Sequence, residues 1–446
     1  MELVMRKRII IASLFFSILS FLQTLQAASD RPNIIIILAD DLGIGDLSIN
    51  GSPIRTPNID RLAKEGAYLN NFYASANVCS PSRAGLLTGR YPIRMGMADS
   101  VIEPDSTHGL PKSETTLPEI LKFNGYQNVL IGKWHLGHTA EYWPTEHGFD
   151  YFYGLPYSND MTPLALYRGE QIIEQPVNQS TLTQGYTKEA LDFIDTNKEQ
   201  PFFIFLSHTF PHIPLYASAK FKGKSTAGIY GDAVEELDWS VGEVIKALKK
   251  HNLSKNTLVL FTSDNGAWFE GNNGAFRDMK GLTWEGAYRV PLIAWWPGNV
   301  KPGTLSSGIS MNIDILPTIS ALIHHRSEDS RPLDGRDIWS LLQGSNTSPH
   351  ETLYLFNNED ISALRTQDWK YITRAYYKTN YIAFDRIKEK MGFDYELLFD
   401  MRSDMPERYS QAENRPEIVK QMITMLEQGR EIFEPLRSGP VPKVFP

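Results

Sequence analysis

The chain has 446 residues, and its 44 lysines and arginines stand against 52 aspartates and glutamates, a formal net charge of −8. The length suits one large domain with a smaller one. The acidic balance excludes a general binder of nucleic acid or other polyanions, so an anionic substrate would need a local basic pocket. A single cysteine, Cys79, excludes an internal disulfide. No internal repeat or low-complexity tract interrupts the sequence.

At the N-terminus, Arg6, Lys7 and Arg8 precede an apolar run from Ile9 to Leu22, and Gln26-Ala27-Ala28 offers small residues for cleavage. This is the pattern of a secretory signal over residues 1–27. The run is short for a membrane span, has no charged stop after it, and lacks the cysteine a lipid anchor would need. Export to the periplasm or beyond is expected, with no stable membrane insertion after the segment is removed.

The first buried strand is Ile34-Ile35-Ile36-Ile37-Leu38-Ala39, a continuous β-branched run of the kind covered on both faces in a parallel sheet. It ends in Asp40-Asp41, and ligands of doubly wound folds gather at such strand ends. Two adjacent carboxylates suit a hard divalent cation, although a capped turn reads the same way. Thr56-Pro57 opens a helix through Leu62, closed near Gly66. At Cys79-Ser80-Pro81-Ser82-Arg83, Ser80 reads as a helix cap and Pro81 as the first helical residue. That places Cys79 at a helix N-terminus, where free N–H groups and the dipole favour an anion, with Arg83 one turn in as a fixed cation.

Thr116-Leu117-Pro118 begins a further helix ended by Gly125, and a second strand runs to Ile131, leaving through Gly132-Lys133-Trp134-His135. Pro156-Tyr157-Ser158-Asn159-Asp160 reads as a turn. Thr187 reads as the cap of a helix to Ile194. Pro201 to Leu206 forms a third buried strand, followed by His208 and His212. Asp232 to Lys250 carries Val234, Leu237, Val241, Ile245 and Leu248 at helical spacing, a core face. Thr257 to Thr262 is a fourth strand, ending in Ser263-Asp264-Asn265-Gly266. Lys280, Glu285 and Arg289 follow, with Glu285 and Arg289 read as structural. Asn312 to Leu322 is expected to be helical. From about residue 350 the pattern changes: Leu364 to Tyr371 and Tyr395 to Phe399 read as antiparallel strands, and Pro416 to Ile432 as a long helix. The expected division is a catalytic part over 28–349 and an α+β subdomain over 350–446.

The convergence matters more than any one pair. Four strands end in Asp40-Asp41, Lys133/His135, His208/His212 and Asp264-Asn265. In one parallel sheet these ends share an edge, and the helix headed by Cys79 would point there too. Metal ligands, cations and a nucleophile would then meet in one pocket.

The run Cys79-Ser80-Pro81-Ser82-Arg83-Ala84-Gly85-Leu86-Leu87-Thr88-Gly89-Arg90 closely resembles the first signature of the type I sulfatases. Gly125 to His135 resembles the second signature, with Asn128 where the family usually has Ser or Thr. Lys280 to Pro291 resembles a further segment. The likeness extends along most of the chain. It implies an alkaline-phosphatase-like fold: a large, mostly parallel sheet sandwiched by helices, with a small C-terminal antiparallel sheet and helix. It implies that a maturation enzyme oxidises Cys79 to formylglycine, and that Ca²⁺ is held by Asp40, Asp41, Asp264 and Asn265, close to residue 79. The hydrated aldehyde would be the nucleophile on sulfur, steadied by Arg83. Lys133, Lys280 and Ser158 would contact sulfate. His135 would assist turnover, and His212, with Lys280, would protonate the leaving oxygen. His208 is expected to pack behind the site.

The implied reaction is hydrolysis of a sulfate ester on a carbohydrate. The His108-Gly109-Leu110-Pro111 and Pro156 to Asp160 stretches resemble the arylsulfatase A and N-acetylgalactosamine-6-sulfatase branch, so a galactose or galactosamine sulfate in a glycan is the expected substrate. Tyr376, Tyr377 and Tyr381 are candidate sugar-stacking residues. Three alternatives stand beside this: a phosphate mono- or diesterase of the same superfamily, a thiol hydrolase using Cys79 with His212, and a calcium-dependent carbohydrate-binding protein.

Overall fold

In the computed structural model, the described residues are 31–326, 329–377, 380–383 and 395–439. The proposed signal segment therefore lies outside them. The isoleucine run forms strand β1 (Asn33–Ala39), every residue of which is buried. Its alternate side chains enter two different cores: Ile34, Ile36 and Leu38 pack into one, Ile35, Ile37 and Ala39 into the other. This is why the sequence is continuously apolar rather than alternating: both faces of the sheet are covered. Burying each isoleucine contributes roughly 2–3 kcal/mol of transfer free energy.

The chain continues through helix α1 (Pro57–Glu65), strand β2 (Ala67–Tyr73), helix α2 (Cys79–Thr88) and helix α3 (Leu117–Phe123). Strands β3 (Gln127–Lys133), β4 (Tyr151–Leu155), β5 (Leu166–Arg168) and β6 (Gln171–Glu174) follow. Then come helix α4 (Leu182–Asn197), strand β7 (Phe202–Ser207), helix α5 (Gly228–Lys250) and strand β8 (Thr257–Ser263). Strands β9 (Arg289–Trp295), β10 (Thr304–Ser306) and β11 (Ser310–Met311) and helix α6 (Ile315–Leu322) complete the large layer. The sheet order is β10-β2-β9-β8-β1-β7-β3-β4-β5-β6, with β11 joined to β2. At its centre β8, β1, β7 and β3 are adjacent and all parallel, so their carboxyl ends share one edge as expected.

A second sheet has the order β12 (Leu353–Asn357), β13 (Asp360–Arg365), β14 (Trp369–Ile372), then Leu397–Asp400, all antiparallel. Helix α7 (Pro416–Phe433) packs its buried Met422, Leu426 and Phe433 into the same core as this sheet. A separate hairpin pairs Arg374–Tyr377 with Asn380–Ala383. The side chains of Tyr376, Tyr377 and Tyr381 lie outside the described residues.

Several expected boundaries are corrected. Helix α2 begins at Cys79 itself, with Val78 before it and no side-chain cap; Ser80 Oγ instead accepts from Ile102 N at 3.0 Å. Thr187 sits inside α4, where its hydroxyl bonds Thr183 O and Ser240 Oγ at 2.7 and 2.6 Å. Asp232 lies inside α5. Its carboxylate collects the amides of Gly223, Lys224 and Ser225, capping the preceding loop rather than its own helix. The stretch 364–371 is two strands, because Thr366 and Trp369 close a turn between β13 and β14. The expected helix at Asn312 opens as a 3₁₀ turn over Asn312–Asp314.

Candidate active site

The four strand ends deliver their polar residues to one buried cluster. Asp41 leaves β1 with φ of 64°, a left-handed turn for a residue other than glycine. Its N–H donates to Asp264 Oδ1 at 3.1 Å, and Asn265 Nδ2 donates to Asp41 Oδ1 at 2.7 Å. The ends of β1 and β8 are thus tied through their own carboxylates. At the end of β3, Lys133 Nζ lies 2.6 Å from Asp40 Oδ2 and donates to Ser158 Oγ at 3.1 Å. Gly132 is required just before it: a Cβ there would stand 1.8 Å from the Ser207 carbonyl oxygen.

Arg83 is completely buried beneath the cluster. Its Nη1 donates to Lys133 O at 2.9 Å and to Ser207 Oγ at 2.7 Å, and Nη2 reaches Asp40 Oδ2 at 3.4 Å and Asp264 Oδ2 at 2.9 Å. Lys280 Nζ donates to Asp41 Oδ2 at 2.9 Å and to Cys79 Sγ at 3.4 Å. His212 Nε2 lies 3.6 Å from Asp41 Oδ2, while its Nδ1 faces Ile213 O at 2.6 Å. His135 Nε2 is 3.0 Å from Ile102 O, and its Nδ1 is buried without a partner.

Burial and charge set the protonation states. Burial alone would raise Asp40, but Lys133 and then Arg83 pull it well below the usual carboxylate range. Burial, reinforced by the neighbouring Asp40, pushes Asp264 up to about 6 against the pull of Arg83. Burial would lower Lys280, but Asp41 and its neighbours hold it well above the usual lysine value. Burial, then Lys133 and Arg83, hold the His135 imidazole neutral. Burial also pushes the Cys79 thiol upward, outweighing Lys133 and Lys280. The helix N-terminus therefore does not make Cys79 a free thiolate.

Cys79, Lys280, His212, His135, Ser158 and Asp41 all line one cavity of about 390 Å³. Asp40, Arg83, Lys133, Asp264 and Asn265 lie directly behind it through the contacts above. His208 is not part of this wall; it is buried against Tyr186, with Nε2 3.3 Å from Ser240 Oγ. Glu285 and Arg289 pair with each other at 3.2 Å, away from the cavity. Asn128 Nδ2 holds Pro118 O and Gly148 O at 2.7 and 2.9 Å, a brace at the far end of β3.

The oxygen-rich part of the cluster suits a hard cation. Asn265 Oδ1 is buried without a hydrogen-bond partner although its Nδ2 is used. Donor atoms of Asp40, Asp41, Cys79 and His212 all lie within 4.8 Å of one another. Three carboxylates and an amide oxygen are the ligand types a divalent cation such as Ca²⁺ takes.

Some residues of the site carried no role in the sequence reading. Ser207, at the end of β7, bridges Arg83 and the Lys133 carbonyl; its place at a strand end was the available signal. Val101, Glu103, Met161 and Trp268 also line the cavity, and they come from loops that no local pattern brings together. The Lys280 loop is braced from the C-terminal sheet: Asn357 Nδ2 bonds Gly281 O at 3.3 Å, and Lys370 Nζ bonds Thr283 O at 3.2 Å. Lys370 is itself buried between Glu285 and Glu407, at 3.2 and 2.8 Å. Glu407 accepts from Glu285 N at 2.7 Å.

A buried nucleophile position, the three cations Arg83, Lys133 and Lys280, and a set of acidic oxygens at the carboxyl edge of a parallel sheet define a hydrolase of charged esters. The sulfatase family profile matches residues 32–325, and the chain belongs to the sulfatase family. It is 43% identical to the N-acetylgalactosamine-6-sulfatase of Mus musculus over 354 residues, 72% of this chain and 68% of that protein. It is 35% identical to the steryl-sulfatase of Homo sapiens over 503 aligned positions, 88% of this chain and 86% of that one. Among solved structures, PsFucS1 sulfatase from Pseudoalteromonas sp. superposes with a TM-score of 0.82 at 29% identity, covering 95% of each chain. Ps i-CgsB superposes at 0.77 and 31% identity, covering 89% of this chain and 92% of that one. The fold is the alkaline-phosphatase-like one expected, and the protein is a sulfuric ester hydrolase. The phosphate-ester alternative, the thiol hydrolase and the non-catalytic binding protein have no support from these relatives.

Proposed function

We propose that this sulfatase removes sulfate from a galactose or galactosamine unit of a glycan, after export to the periplasm or beyond and conversion of Cys79 to formylglycine by a maturation enzyme. The observation that carries the reading is that Cys79, Lys280, His212, His135, Ser158 and Asp41 line one cavity. The resemblance to N-acetylgalactosamine-6-sulfatases supports the sugar. So does Ps i-CgsB, which has been solved in complex with k-i-k-neocarrahexaose. Residues 28–349 would form the catalytic part and 350–446 the accessory subdomain. Among the described residues no helix is long and apolar enough to cross a membrane.

Formylglycine would supply a hydrated aldehyde as the nucleophile at residue 79, and Ca²⁺, on Asp40, Asp41, Asp264 and Asn265, would neutralise charge on the sulfuryl oxygens. The chain's own side chains do the rest. Lys133, Lys280 and Ser158 bind the sulfate oxygens; Lys133 is pre-oriented by Asp40 and Lys280 by Asp41. Fixed cations of this kind stabilise transition-state charge without reorganising. Arg83 holds residue 79's surroundings in register. His212, whose Nδ1–H is committed to Ile213 O, presents Nε2 to protonate the leaving alcohol. His135 is kept neutral, and its unpartnered Nδ1 accepts a proton as sulfate is released.

The test is peptide mass spectrometry of protein from its own host, together with sulfate release from defined galactose sulfates. Formylglycine lowers the mass of the Cys79 peptide by about 18 Da. Fully active protein carrying only cysteine would refute the formylglycine reading, and matured protein that releases no sulfate from these sugars would refute the substrate.

A further inference from the structure

The cavity is layered by charge. Its floor carries the Lys280 ammonium, paired with Asp41, and His212 beside Cys79. Its mouth is acidic: Glu103 and Asp160 both line it, both are exposed, and among the described residues neither joins an ion pair. Between them the wall is largely apolar and includes the half-buried Trp268. Trp268 is held edge-on by the neighbouring Phe269, with ring centroids 4.6 Å apart. Among the described residues no cation lines the mouth, so an anionic group there meets like charge, whereas sugar hydroxyls find carboxylate acceptors and an indole. A volume of about 390 Å³ is at the small end for ligand sites, which keeps the sulfated ring close to this rim.

We propose that Glu103 and Asp160 are specificity-determining residues: they restrict the site to a sulfated pyranose that is otherwise neutral, and reject a second sulfate or a uronate at the mouth. The inference rests on the sulfatase reading for the sulfate on the floor, and it adds the chemistry of the rest of the substrate. Like charges a few ångströms apart at a solvated rim repel enough to cost about fivefold in affinity per carboxylate, an effect that salt weakens.

The experiment measures binding, not turnover. Calorimetry on the unmodified Cys79 form compares galactose 6-sulfate, galactose 4,6-disulfate and galactose 6-sulfate linked to glucuronate, for the wild type, Glu103→Gln, Asp160→Asn and the double variant. The wild type should bind the singly charged sugar at least tenfold more tightly than either of the others. Each variant should cut that preference about fivefold, and 0.5 M salt should shrink it in the wild type. Tighter binding of the disulfate by the wild type, an unchanged ratio in the variants, or no binding of any sugar would overturn the proposal. Discrimination in binding without sulfate release from the matured protein would leave this inference standing and refute the proposed activity.

Discussion

Arg83 places two nitrogens on a single oxygen of Asp264: Nε at 3.0 Å and Nη2 at 2.9 Å from Oδ2. Its remaining nitrogen spans to the ends of β3 and β7. With Nη2 also 3.4 Å from Asp40 Oδ2 after β1, one planar side chain registers four adjacent strand ends. Lysine cannot reproduce this fork. Arg83→Lys should lower stability by about 3 kcal/mol, as for a broken buried ion pair, and abolish sulfate release. Urea unfolding beside a kinetic assay checks both.

Lys133 and Ser158 should separate by size of effect. Lys133→Met removes a buried cation from Asp40 and from the sulfate position, so kcat/KM should fall about 10²–10³-fold. Ser158→Ala removes one neutral hydrogen bond and should cost about tenfold. A larger effect from Ser158→Ala than from Lys133→Met would reverse the assigned roles.

In the unmodified protein Cys79 is 1% exposed and its thiol is pushed upward by burial. Buried thiols of this kind are inert. Iodoacetamide at pH 8 should leave native protein unlabelled over an hour and label it promptly in 8 M urea. Rapid native labelling would contradict the burial. On the proposed function, an enzyme that oxidises Cys79 would have to reach it before α2 docks.

Two buried imidazoles set the acid side of stability. Burial holds His208 down to about 3, and burial followed by Lys112 holds His147 to about 4. An unfolded imidazole titrates near 6.5, so below that the unfolded chain binds protons that the folded chain refuses. Stability should be intact above about pH 6.5 and fall toward pH 4, by about 1.4 kcal/mol per unit for each histidine. Urea midpoints at pH 7.5 and 5.0, for the wild type and His208→Gln, give the test; the variant should lose less on acidification.

The acidic cluster fits a bound cation, which is proposed to be Ca²⁺. Excess EGTA should lower the melting temperature, and restored Ca²⁺ at about 100 times its Kd should return about 2.7 kcal/mol. Asp264→Asn should blunt this response. An identical melting temperature with and without chelator would remove Ca²⁺ from the site.

The catalytic edge was legible because each central strand is a continuous apolar run that stops at a polar pair. Asp40-Asp41, Lys133 and Asp264-Asn265 announce themselves by that stop. Strand β9 was missed because Arg289 and Pro291 break its run, although every residue in it is buried. Thr187 looked like a cap because a hydroxyl satisfied by Thr183 O inside a helix cannot be told, in sequence, from one that starts it. Glu103, Asp160 and Trp268 reach one cavity from three separate loops, and no local pattern encodes such a meeting.

The brace from Lys370 and Glu407 to the Lys280 loop has a consequence for dissecting the molecule. A fragment ending near residue 350 would retain every side chain assigned to the sulfate, yet it would drop Asn357, Lys370 and Glu407. Glu285 would lose its buried lysine partner, and residues 281–285 would lose three of their anchors. The active centre is therefore not a transplantable module. Grafting a foreign C-terminal part to alter the entrance requires carrying these three residues across the junction.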